Sequence, residues 1–165
     1  MNEYLKPDLF LKSAFEIDAG KLKEKGIKAV FFDIDNTLAP FGTDTPTSEA
    51  EALFERLKND GLIIGILSNA GNGRSKKYAE KASVIYCGKA GKPGTRKLRR
   101  KAEELCLLPF EVTVVGDQIF TDVQCGNKFG AYTVLVKPVD PDSEPWYTHI
   151  KRKTEHKYLK RMGIL

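Results

Sequence analysis

From residue 27 onward, short apolar runs alternate with segments whose apolar residues recur every three or four positions. The runs fall at 27–33 (IKAVFFD), 62–67 (LIIGIL), 83–87 (SVIYC), 111–116 (EVTVVG) and 131–136 (AYTVLV), each of strand length. Helical spacing lies between them: 48–59, opened by a Ser48/Glu51 capping-box pattern; 74–81; 94–107, with Leu98, Ala102 and Leu105 on one side; and 121–129, closed by Gly130. Near-continuously apolar strands in such an alternation are buried on both faces, so the pattern predicts an α/β fold: a parallel five-stranded sheet with helices on both sides.

The flanks read differently. Leu9, Phe10, Phe15 and Ile17 suggest a helix or arm packed on the sheet, with Pro7 breaking the spacing. Pro138, Pro141 and Pro145 make 137–150 an extended connection, and the segment after it looks helical and basic. Trp146 reads first as a packing anchor for this tail, with contact to a membrane interface as the alternative. The expected organisation is a single domain over 1–165, with an arm (1–26), a core (27–136) and an extension (137–165).

Candidate chemistry gathers where the strands end, the edge at which open parallel sheets bind ligands. The first strand runs into Asp33-Ile34-Asp35-Asn36-Thr37, and the second into Ser68-Asn69. Lys92-Pro93 follows the third, and the fourth ends in Gly116-Asp117 with Asp122 five residues on. An aspartate after a strand is commonly a turn former or helix cap, and Asp122 could cap the helix beginning there. Four such features in order point instead to one site. Unpaired buried carboxylates are costly and repel one another, so a bound cation is expected. A set of carboxylates without clustered His or Cys suits Mg²⁺, which keeps waters and shares its shell with phosphate. One carboxylate can attack phosphorus and a second can serve the leaving group and water, while a hydroxyl and a lysine hold the phosphoryl oxygens.

These motifs resemble those of the haloacid dehalogenase superfamily: hydrophobic-DxDxT (Val30 to Thr37), Ser68, Lys92 and GDxxxxD (Gly116 to Asp122). The resemblance implies a Rossmann-like fold, Asp33 as nucleophile, and Asp35 as general acid and base. It also implies Mg²⁺ held by Asp33, the Asp35 carbonyl and Asp117, with Asp122 as an outer or supporting acid, and phosphate bound by Ser68, the Asn69 backbone and Lys92. Lys89 competes with Lys92 for the third motif; Lys92 is preferred because Pro93 suits the first turn of a helix. Closer still, DIDNTL (33–38), GDQIFTDVQCGNKFG (116–130) and the tail residues Thr148, Arg152 and Glu155 are similar to the YqeG group of small phosphatases, related to phosphatidylglycerophosphate phosphatases. At helical spacing those three tail residues share one face and are placed to dock on the body. Ala70 departs from the group's pattern, where a second Asn is expected, and Gly71-Asn72-Gly73 reads as a turn.

Only 34 residues separate Asp33 from Ser68 and 23 separate Ser68 from Lys92, which leaves no room for a cap domain. An open site suits a phosphate carried on something large. Charge placement agrees: the net charge of +5 comes from 89–101, with seven Lys or Arg and no acid, and 151–161, with six against Glu155, leaving the rest of the chain negative. A phosphorylated substrate, with an anionic membrane surface as a peripheral partner, is therefore expected, and stable nucleic-acid binding is not. The leading function is a Mg²⁺-dependent phosphatase of a lipid-linked phosphate such as phosphatidylglycerophosphate; a nucleic-acid end, a small metabolite, or a non-catalytic binding module are the alternatives. Three separated cysteines (87, 106 and 125) form no CxxC, and no signal-like or bilayer-spanning run occurs, so the expected location is cytoplasmic, at most peripheral on the inner face of the membrane. His149 and His156 lie outside every motif and read as surface residues.

Overall fold

The computed structural model describes residues 3–71 and 73–165, so Asn72 of the expected 71–73 turn and the first two residues of the arm lie outside the described residues. Its strands are β1 (Leu9–Leu11), β2 (Ala29–Phe32), β3 (Ile63–Leu67), β4 (Ile85–Cys87), β5 (Val112–Gly116) and β6 (Tyr132–Val136). All neighbouring pairs are parallel, in the order β1-β6-β5-β2-β3-β4. Five coincide with the apolar runs. The sixth, β1, corrects the five-strand expectation: three residues show no readable alternation, and an edge strand needs only one good face. Its register is fixed from outside. The Asp8 carboxylate accepts from the Thr133 N–H and hydroxyl at 2.7 and 2.9 Å, and the Asn127 amide donates to the carbonyls of Tyr4 and Lys6.

Helices cover both faces: α1 (Ala19–Glu24), α2 (Ser48–Asn59), α3 (Arg74–Lys81), α4 (Arg96–Glu104), α5 (Gln124–Phe129) and α6 (Trp146–Arg161), with a π-turn over Ile119–Val123 leading into α5. Helix α2 is capped one residue earlier than expected, by the Thr47 hydroxyl accepting from the Ala50 N–H. Helix α4 is shorter than the 94–107 pattern and begins three residues after Pro93, so Pro93 does not sit in its first turn; Lys92 turns inward and Lys89 outward all the same. Side chains alternate between two cores. Val30, Phe32 and Val115 join Leu53, Phe54, Leu57 and Tyr78 on one face, while Phe31, Leu67 and Val114 meet Leu98, Ala102, Cys125 and Phe129 on the other. Burial on both faces explains why the strands read as apolar runs rather than alternating ones.

The two basic runs part company here. In 89–101, Lys92 turns inward, Arg99 stacks over the Phe129 ring, and Arg100 and Lys101 pair with Glu104. The second run is α6, packed through Tyr158, Leu159 and Met162 against Leu5, Ile119, Val123 and Leu135. Thr148 and Glu155 are buried, while both histidines are exposed. Trp146 does not anchor the tail: it is 74% exposed, with the neighbouring Tyr147 ring 6.1 Å away. Among the described residues no helix is long and apolar enough to cross a membrane.

Candidate active site

Strand β2 ends at Phe32, and the next residue, Asp33, stays in register by donating its N–H to the Val115 carbonyl at 2.9 Å. Asp117 follows β5, the neighbour of β2, so the two carboxylates emerge side by side. Asp122 is folded back from the π-turn toward the same point. A Cβ on Gly116 would lie 2.1 Å from the Asp122 carboxyl carbon, so glycine at the end of β5 is what lets that side chain enter. Oxygens of Asp33, Asp117 and Asp122 lie within 4.8 Å of one another.

Lys92 enters this cluster from the loop after β4. Its ammonium stands 2.6 Å from Asp122 Oδ1 and 3.0 Å from Asp33 Oδ1. Burial alone would lower its pKa, but Asp122 and Asp33 carry it above the ordinary lysine value. Asn69 fixes its backbone reciprocally: Asn69 Nδ2 donates to the Lys92 carbonyl at 3.1 Å and Asn69 Oδ1 accepts from the Lys92 N–H at 2.8 Å. Expected for its main chain, Asn69 thus also locks the third motif to the second. Lys89 is exposed and outside the site. Ser68 is buried at the end of β3, with its hydroxyl accepting from the Ala70 N–H at 3.1 Å.

Asp35 stands apart from the acidic cluster. Its oxygens accept from the Gly42 N–H at 2.9 Å and from Arg74 Nη2 at 2.6 Å, and Arg74 also donates to the Thr43 carbonyl. Its carboxylate therefore faces the cavity rim, so any share in a metal's ligand shell falls to its main-chain oxygen. Arg74, the first residue of α3, carried no signal in the sequence beyond its place after the Ser68 loop. Asp33, Asp35, Ser68, Asn69, Arg74 and Lys92 line a cavity of about 760 Å³, with Phe41, Gln118, Glu144, Tyr147 and Lys151 on its walls; Asp117 and Asp122 are buried beside it.

A second polar cluster supports the first from behind. Arg152 on α6 donates to the Asp117 carbonyl at 2.6 Å, to the Asp117 and Glu144 carboxylates, and to Glu155 at 3.4 Å. Thr37 donates to Asp117 Oδ1 at 3.1 Å. Asn36, held at φ 57, donates to Glu144 at 2.9 Å and accepts from the Asp140 N–H, joining the loop after β2 to the extension. The expected docking face of Thr148, Arg152 and Glu155 is thus turned toward the body. Glu144 was not legible in the sequence, because its role rests on partners far along the chain.

Electrostatics favour a cation. Burial pushes Asp33 up to about 8, with Asp122 and Asp117 adding and Lys92 opposing. Burial likewise lifts Asp117 to about 7, against the pull of Arg152. Two carboxylates removed from water hold protons near neutrality even with Lys92 and Arg152 beside them, so a further cation could take the place of those protons. The donor atoms are all oxygen, with no His or Cys in the cluster, which fits Mg²⁺. Asp122 lies in the same group, yet its oxygens already accept from Lys92, the Gln118 N–H and the Thr121 hydroxyl. That pattern suits it to hold Lys92 against Asp33.

Comparison with known proteins places the chain in a family. The family model described as mitochondrial PGP phosphatase matches residues 2–139. "Probable phosphatase YqeG" of Bacillus subtilis is 34% identical over 99% of this chain and 96% of its own. "Phosphatidylglycerophosphate phosphatase 1, chloroplastic/mitochondrial" of Arabidopsis thaliana is 32% identical over 96% of this chain, which spans 48% of that protein. Among solved structures, a putative HAD family hydrolase from Streptomyces avermitilis superposes with a TM-score of 0.53 at 22% identity, covering 68% of this chain and 78% of its own. Fold and site define a hydrolase of the haloacid dehalogenase superfamily, without an inserted cap among the described residues. Within that class, the chain belongs to the PGP phosphatase family, the YqeG-containing group of phosphoric monoester hydrolases.

Proposed function

We propose that this chain hydrolyses a phosphomonoester borne on a lipid headgroup, with phosphatidylglycerophosphate as the leading substrate, through an aspartyl-phosphate on Asp33. The observation that carries the reading is the convergence of Asp33, Asp117 and Asp122, with Lys92 held between Asp33 and Asp122, where Asp33 and Lys92 face an open cavity. The names of the relatives support the substrate.

Asp33, Asp117 and the Asp35 carbonyl would hold Mg²⁺, which supplies charge neutralisation so that an anionic carboxylate can meet an anionic phosphate. Lys92 and Ser68 orient the phosphoryl oxygens. A carboxylate oxygen of Asp33 bonds to phosphorus as the bond to the headgroup oxygen breaks, and Asp35 gives its proton to that departing oxygen. Asp35 then takes a proton from the water that attacks the acyl-phosphate, releasing inorganic phosphate and restoring Asp33. Arg74 and the Gly42 N–H aim Asp35 through both steps. The proposed location is the inner face of a membrane, held peripherally.

The test is a panel of phosphatidylglycerophosphate in micelles, 5′-phosphorylated oligonucleotides and soluble sugar phosphates, each with Mg²⁺ and with chelator. Phosphate release from the lipid, lost with chelator and reduced to background in Asp33→Asn, is the expected result. Preference for oligonucleotides or sugar phosphates would overturn the lipid assignment, and full activity of Asp33→Asn would overturn the mechanism. Lys92 keeps Asp122 at 2.6 Å in that variant, so the metal-free protein should melt no lower than wild type.

A further inference from the structure

Helix α6 has two faces with different business. Thr148, Arg152, Glu155 and Leu159, at i, i+4, i+7 and i+11, face the body. Trp146, Ile150, Lys153 and Lys157, at the same spacing, lie on the opposite side and are exposed. Trp146 is 74% exposed and Ile150 61%; Leu108 and Phe110, also exposed, precede β5, at the end of the sheet away from the site. No exposed residue of α6 is acidic, since Glu155 is turned inward to Arg152 and the Phe120 N–H. The outer stripe is therefore aromatic and aliphatic at its first turns and cationic along the rest.

Position gives this stripe its meaning. Tyr147 and Lys151 of the same helix are exposed and also line the catalytic cavity, as does Phe41, 43% exposed on the loop after β2. The stripe thus adjoins the cavity mouth. A tryptophan and an isoleucine beside lysines, with no acid among them, match the zone where acyl chains meet anionic headgroups, because the rings and aliphatic groups enter while ammonium groups pair with lipid phosphates. A nucleic acid would satisfy the lysines but would leave the exposed Trp146 and Ile150 without an apolar partner.

We propose that the outer stripe of α6, formed by Trp146, Ile150, Lys153 and Lys157, docks on an anionic bilayer surface and holds the cavity mouth at headgroup level. The surface has this role whichever phosphate is hydrolysed, so it can be tested without turnover. Trp146 is the single tryptophan of the chain, so its intrinsic fluorescence reports on this contact alone.

The experiment adds substrate-free vesicles to the full chain: phosphatidylcholine alone, or phosphatidylcholine with one third phosphatidylglycerol. With anionic vesicles the emission should shift to the blue and become shielded from an aqueous quencher, with salt reversing both; neutral vesicles should leave it nearly unchanged. Lys153→Glu/Lys157→Glu should weaken vesicle partitioning at least about tenfold, while its far-UV circular dichroism and its turnover of a water-soluble aryl phosphate stay near wild type. An emission spectrum indifferent to anionic vesicles, or a double variant that binds them as well as wild type, overturns the proposal. So does a blue shift produced by single-stranded oligonucleotides and not by vesicles. Vesicle binding without hydrolysis of phosphatidylglycerophosphate would leave this docking surface standing and refute the substrate proposed above; hydrolysis in detergent micelles without vesicle binding would do the reverse.

Discussion

At the scale of single residues, space and charge are set within tenths of an ångström. Gly116 is required by neither φ nor a turn; it is there because a Cβ would collide with the Asp122 carboxyl group. Gly116→Ala should therefore displace Asp122, release its hold on Lys92 and cut turnover about a hundredfold or more, the scale of losing one well-placed charge at a transition state. Measuring kcat beside the melting temperature separates this from simple unfolding, and a variant with normal kcat would show that Asp122 tolerates displacement. Tyr78 offers the opposite case. Its hydroxyl is fully buried and has no hydrogen-bond partner among the described residues, so burial raises its pKa well above that of an ordinary tyrosine. Tyr78→Phe removes an unpaired polar group without opening a cavity, and urea melts should find it neutral or more stable by up to about 1–2 kcal/mol.

At the scale of elements, α6 is tied to the centre by one guanidinium. Arg152→Met keeps much of the side-chain volume but leaves the buried Asp117, Glu144 and Glu155 without their shared cation. A loss of about 3–5 kcal/mol is expected in chelator, and Mg²⁺ should recover part of it by neutralising Asp117; urea melts with and without the ion give both numbers. An equal loss in both conditions would mean that the ion does not reach Asp117. The same element shows what a sequence can disclose. Strands β2 to β6 were visible because burial on both faces writes a continuous apolar run, and Asp33, Ser68, Lys92 and Asp117 were visible because each follows such a run closely. β1 was not, being three residues long and defined by what Asp8 and Asn127 bind elsewhere. Nor were Arg74 and Glu144, whose positions depend on contacts 39 and 108 residues away along the chain. Trp146 was misread because aromatic residues usually pack, although the helical spacing that places Thr148, Arg152 and Glu155 on the inward face of α6 already turns position 146 to the far side.

At the scale of the whole molecule, the acidic centre trades stability for readiness. An aspartate whose folded-state pKa lies above its unfolded value keeps its proton in the folded state after the unfolded chain has lost it, so its contribution to stability declines as pH rises between the two. Asp33, moved from 3.8 to about 8, and Asp117, moved to about 7, both do this. In chelator the melting temperature should fall between about pH 5 and pH 8, and Mg²⁺ should flatten that decline by taking the place of the protons. A melting temperature that is level or rising over this range in chelator would show that Lys92 and Arg152 already satisfy the charge. Arg152 carries one more consequence, which concerns time rather than energy. The site is assembled in chain order, Asp33, Ser68, Lys92 and Asp117 first and the guanidinium that steadies Asp117 only afterwards. A polypeptide emerging from the ribosome thus displays Asp33, the proposed nucleophile, long before Asp117 has its counter-charge, and full hydrolytic competence is expected as a late event of synthesis, after residue 152 is free to fold back.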